Sequence, residues 1–147
     1  MDKTWVLVAN RSDARLFETK GLRGNGWRLV QSIPHPQGRL QGRDLESDKP
    51  GRTFDSLGKG RHAKSAEHGP VEQLAQQFAR HLADLLNKGR NEHAYQKLVL
   101  VAEPGFLGKL LGALDDHTAA LVAGTVKKDL IEIEDRDIPK HLENATL

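Results

Sequence analysis

The chain contains no cysteine. That excludes disulfides, a thiol nucleophile and a cysteine-based zinc site, and leaves the redox compartment undetermined. Long apolar runs are also missing. No stretch approaches about 18 apolar residues, and the opening MDKTWVLVAN holds only a short one, so neither a membrane span nor a signal peptide is expected. A strong charge of one sign is absent too, the net charge being +2. It is unevenly spread, however. Residues 1–70 carry 13 basic against 8 acidic groups, and residues 71–147 carry 9 against 12. A basic half favours phosphate-rich partners, while the acidic half argues against a surface that coats nucleic acid uniformly. Ordinary charge scatter on a soluble domain is the competing explanation.

What the chain does have is one very long polar connection, PHPQGRLQGRDLESDKPGRTFDSLGKGRHAKSAEHGP, spanning residues 34–70. Connections beyond about 12 to 15 residues without their own secondary structure are usually functional loops or disorder. Its apolar content, Leu40, Leu45, Phe54, Leu57 and two alanines, is too small to build a core. Function is therefore expected in this loop, with the rest of the chain as its scaffold.

The flanking pattern is three strands, the loop, then alternating helix and strand. TWVLVA at residues 4–9 is a nearly continuous β-branched run of the kind buried on both faces. After a turn over residues 10–13, a second strand runs to Thr19, glycines at 21–26 turn the chain, and residues 27–33 alternate as a third strand. These should form an antiparallel meander. Pro70 suits the first position of a helix, Val71, Leu74, Phe78, Leu82 and Leu85 line one face, and Lys88-Gly89 should end it. KLVLVA at 97–102 predicts another central strand, Pro104-Gly105 leads into a short helix, residues 119–126 predict a further buried strand, and a last helix is expected over 137–144. At 147 residues, without repeats, the chain suits a single domain over 1–147 that buries roughly 70% of its unfolded surface.

The order β-β-β-α-β-α-β-α resembles the ribonuclease-H-like architecture: an α/β fold with a mixed sheet of about five strands flanked by helices, here with the polar loop inserted. The blocks WVLVANRSDARLF, HPQGR, SDKPGRTFDS, GRHA, FARHLADLL, LVLVAEPGFLGKL and GTVKKDL together resemble the bacterial host-attachment protein family over nearly the whole chain. That family is in turn similar to the middle domain of archaeal and eukaryotic peptide-chain release factors, where a Gly-Gly-Gln loop precedes a helix. Here GKGRHAKSAEHG precedes QQFARHLADLL in the corresponding order, but there is no Gly-Gly-Gln. The resemblance therefore implies a loop able to touch ribosomal RNA more readily than it implies hydrolysis of peptidyl-tRNA.

Other chemistries fit the residues less well. A two-metal nuclease needs carboxylates converging at strand ends. Strand 1 ends in the neutral Asn10, only Glu103 ends the fourth strand with an acid, and Asp13 is expected to form a turn. GFLGK after a strand has two residues between its glycines where a phosphate loop needs four, and Leu110 follows the lysine, so nucleotide binding is not expected and the leucines read as a packed helix face. His35, His62 and His68 match no ligand spacing, and His81, His93, His117 and His141 have no convergent partners in sequence. Ser12, Ser32, Ser47, Ser56 and Ser65 lie in no nucleophile motif. Asp55, Ser56 and His62 are the one local trio, and such clusters in polar loops are usually turn chemistry. A hydrolase acting on an ester remains as a lesser alternative.

The loop cations have the better physical claim. Arg39, Arg43, Arg52, Lys59, Arg61 and Lys64 could each neutralise a phosphate, as could Lys49. His62 lies among them, and Phe54 is placed to stack on a base or to anchor the loop. Arg80 on the following helix would support the loop base. The expectation is a non-catalytic, cytoplasmic protein without cofactor or metal, contacting RNA or the ribosome through these residues. The alternative is a module that contacts another protein or a second copy, for instance through strand edges.

Overall fold

The computed structural model describes residues 3–21, 26–34 and 69–142. They form a five-stranded sheet in the order β3-β2-β1-β4-β5, with β1 Thr4–Ala9, β2 Asp13–Thr19, β3 Arg28–Pro34, β4 Lys97–Val101 and β5 Val122–Val126. β1, β2 and β3 pair antiparallel as a meander, and β4 and β5 run parallel to β1. The sheet is therefore mixed, in the ribonuclease-H-like arrangement expected from the element order.

The two continuous apolar runs occupy the middle of this sheet. All six residues of β1 are buried, as are Leu98 to Val101 of β4. Alternate side chains of these strands point to opposite faces, so each run feeds two cores. On one face Trp5, Leu7, Ala9, Leu16, Leu98 and Leu100 pack under α1 (Pro70–Asn91) and α2 (Pro104–Ala113). On the other, Val6, Val8, Phe17, Val99, Val101 and Val126 pack under the C-terminal segment through Leu130, Ile138 and Leu142. Ile138 and Leu142 belong to α4 (Ile138–Leu142), which follows a 3-10 turn at Asp135–Asp137.

Three boundaries differ from the sequence expectation. First, α1 does not stop at Lys88-Gly89 but continues to Asn91. Gly89 is needed for packing and not for its freedom in φ. A Cβ there would lie 2.6 Å from Trp5 Cζ3 and 3.1 Å from Tyr95 Cε1, and these two rings stack with centroids 4.6 Å apart. The left-handed residue that ends the helix is His93, at φ 59°. Second, the strand expected from residue 119 begins at Val122. Asp115 caps a single helical turn, α3 (Asp116–Ala119), by accepting from the Thr118 N–H, and this local hydrogen bond outweighs the strand-like apolar run behind it. Third, the final helix is split into the 3-10 turn and α4, with 143–147 lying outside the described residues.

Strand directions sort the connections to two edges of the sheet. β1, β3, β4 and β5 all end at the same carboxyl edge, and α1 and α2 both start there. The amino edge receives the β1 and β4 starts, joined where the Gln96 and Lys97 N–H groups donate to the Lys3 carbonyl.

Candidate functional site

The carboxyl edge is assembled from four strand ends. Pro34 of β3 pairs with Asp13, Ala14 with Ala9, Val8 with Val101, and Val101 with Val126, so the four ends form one row. With strands about 4.8 Å apart, the row from β3 to β5 spans roughly 19 Å. Pro34 and Gly69, the two chain positions that bound residues 35–68, both belong to this edge. Gly69 is the N-cap of α1, Pro70 fills its first turn, and no side chain caps that helix. Open α/β sheets commonly bind ligands at such an edge.

Hydrogen bonds fix the polar side chains of this row. Glu103 ends the β4 connection and turns its carboxylate onto α2, where Oε1 accepts from the Phe106 N–H at 2.6 Å and Oε2 from the Gly105 N–H at 3.0 Å. The positive helix end and its free amides are thus already satisfied by an internal anion. This is why GFLGK forms a capped helix and not a phosphate cradle. Lys109, which a phosphate loop would direct at the ligand, pairs with Glu72 on α1.

Asn10 organises the β1–β2 turn. Its Oδ1 accepts from the Ser12 and Asp13 N–H groups at 2.8 and 2.9 Å, and its Nδ2 donates to Asp129 at 3.4 Å. The turn over residues 10–13 is thus made by the Asn10 side chain and closed by the Asp13 carbonyl, which accepts from the Asn10 N–H at 2.9 Å, Asp13 being also the first residue of β2. Beyond β5 the chain crosses the second sheet face and is held by Arg15. One guanidinium nitrogen, Nη2, donates to the carbonyls of Leu130, Ile131 and Ile133, and Nη1 pairs with Asp135. Among the described residues, no group of three or more His, Asp or Glu is placed to hold a metal ion.

The family model described as "Protein required for attachment to host cells" matches residues 5–142. The chain belongs to this family. A solved structure described as "Archaeal protein" is similar over 97% of this chain, with a TM-score of 0.50 and 10% identity, and that likeness bears on the fold alone. The chain spans 33% of that protein's length. A search of curated proteins gives no match. No described helix is long and apolar enough to cross a membrane.

In this member of the attachment family, eight of the nine residues expected to contact a partner, Arg39, Arg43, Arg52, Phe54, Lys59, Arg61, His62 and Lys64, lie outside the described residues. So do His35, His68, Ser47, Ser56, Ser65 and Asp55. Arg80 is exposed on α1, ten residues from Pro70 and so roughly 15 Å along the helix from its start. His81 on α1, His93 in the turn after it, His117 on α3 and His141 on α4 are exposed, and Ser32 is exposed on β3. Three residues escaped the sequence reading. Arg15 did so because most of its acceptors are backbone carbonyls more than a hundred positions away. Lys127-Lys128, directly after β5, carried a legible signal, a cation pair closing an apolar strand.

Proposed function

We propose that this protein is a non-catalytic binding protein whose basic, glycine-rich segment 34–70, presented from the carboxyl edge of the sheet, contacts RNA on the ribosome. The observation that carries the reading is topological. Pro34 and Gly69 both sit at the edge where open α/β sheets commonly bind ligands, so the long glycine-rich stretch with seven Lys/Arg against five Asp/Glu leaves and rejoins the scaffold there. Glu103, which follows β4 at that edge, is engaged by backbone amides, an arrangement that suits binding and not acid-base work.

On this reading Arg52, Arg61 and Lys64 position the segment on phosphates and Phe54 stacks on a base or pins the segment to the scaffold. The chain acts as one domain in the cytoplasm, and its family's attachment phenotype follows indirectly from altered translation. The likeness to release-factor middle domains supports a ribosomal setting without supplying hydrolysis, since the Gly-Gly-Gln tripeptide is absent.

The test is co-sedimentation of the purified protein with 70S ribosomes and with total RNA across a salt series, beside a variant lacking residues 38–66. Retention that weakens log-linearly with salt and is lost in the deletion supports the reading. Retention that ignores salt, or none at all, rejects it in favour of a protein-binding module.

A further inference from the structure

We infer that Lys127 and Lys128 form a second phosphate-contact point for the same RNA, at the far end of the carboxyl edge from Pro34. This rests on the RNA reading above and adds residues to its site. Both lysines are exposed and make no ion pair among the described residues. They directly follow Val126, and strand spacing places them about 10 Å from the end of β1 and roughly 19 Å from the end of β3.

Their backbone is held on both sides. Before them the Val126 carbonyl accepts from the Ala102 N–H at 3.0 Å. After them Asp129 binds Asn10 and the Ile131 N–H, and Arg15 holds the carbonyls of Leu130, Ile131 and Ile133. The pair therefore stands on a fixed mount, with only side-chain freedom to lose on binding.

The neighbouring acids do not cancel it. Glu103 is directed onto the amides that start α2, and Asp129 onto Asn10 and the Ile131 N–H, so both are matched by N–H donors, and the exposed Glu132 is one acid against two lysines. The unmatched charge at this end of the row is positive. A cation pair kept only for solubility would need neither the fixed mount nor the matched acids.

The experiment measures affinity of the full chain for a labelled single-stranded RNA oligonucleotide across a potassium chloride series. It compares wild type, K127Q/K128Q, and K3Q/K97Q as the matched lysine pair at the amino edge. Both pairs are exposed, so unchanged thermal melting checks that the variants fold. Loss of two phosphate contacts lowers the slope of log affinity against log salt by about 1.4, and that result is expected for K127Q/K128Q alone. Wild-type binding with an unchanged slope in K127Q/K128Q, or an equal loss in K3Q/K97Q, overturns this inference and leaves the RNA reading standing. Absence of wild-type binding at every salt concentration overturns both.

Discussion

The two edges of one sheet are built on opposite principles. At the amino edge the groups lock onto one another: Trp5 stacks on Tyr95 against Gly89, the Tyr95 hydroxyl donates to the Leu86 carbonyl at 2.7 Å, and Arg90 donates to the buried Thr118 hydroxyl at 3.0 Å. The Glu18 carboxyl there lies below its ordinary pKa. Burial is the largest influence and works to raise it, but the Arg28 guanidinium at 3.1 Å, the Trp5 indole and the Lys3 charge together outweigh that. The Trp5 indole N–H helps, although it falls short of normal hydrogen-bond geometry. At the carboxyl edge the polar side chains cap helix ends and tie down turns, and two lysines are left facing solvent. One edge is closed by ring packing, and at the other the described polar side chains fix helix starts and turns, a difference that fits a scaffold presenting the proposed site.

Substitutions at the two edges should therefore fail differently. The largest effect is expected from Gly89→Val, which forces side-chain atoms into the Trp5 and Tyr95 rings. Overpacking of this kind costs about 3 kcal/mol, so melting should fall by roughly 6 to 12 °C, with RNA affinity of the folded fraction unchanged. Gly89→Ala should fall less, because the gain in helix propensity of about 1 kcal/mol opposes the clash. A neutral result for valine would mean that the amino edge is not closely packed.

Next comes Arg15→Met, which leaves the Ile131 and Ile133 carbonyls and Asp135 without the Arg15 donor, while the Leu130 carbonyl keeps its bond from the Ile133 N–H. A loss of about 2 kcal/mol is expected, and hydrogen exchange should speed up in residues 129–135 while α1 keeps its protection. Uniform acceleration across both regions would show that Arg15 does not specifically hold the C-terminal segment.

Glu103→Ala removes the α2 cap and should cost about 1 kcal/mol, with little change in RNA affinity. A larger loss of binding than of stability would mean that Glu103 itself touches the partner.

The smallest effect at neutral pH is that of Tyr95→Phe, roughly 0.5 to 1 kcal/mol from the lost bond to Leu86. Its signature lies at high pH. Burial pushes the Tyr95 phenol up to about 12, whereas an unfolded tyrosine ionises near 10. The neutral phenol is favoured by folding, so its contribution is complete below pH 10 and is lost as pH rises towards 12. Wild-type stability measured by denaturant titration should fall more steeply over that window than that of the Tyr95→Phe variant, and parallel curves would refute the assignment.

The legible parts of the fold were those written in local pattern. The β1 and β4 runs announce buried central strands, and the three- and four-residue spacing from Val71 to Leu85 announces α1. Gly89 misleads because a glycine after lysine reads locally as a stop, whereas its role is to admit the ring of a residue 84 positions earlier. The 119–126 run misleads because one capped turn at Asp115 takes its first residue into helix. Glu103 was visible as an acid at a strand end. Its role as the cap of α2 emerges only when the amides it accepts from are located. Arg15 had no local signal at all.

The most direct test of the edge comparison is ultraviolet crosslinking of the protein to bound RNA, with the crosslinked peptides mapped by mass spectrometry. The account predicts crosslinks within residues 35–68 and around Lys127-Lys128, and none in the amino-edge peptides around residues 3–5 and 88–97. Crosslinks concentrated at the amino edge, or spread evenly over both edges, would contradict it.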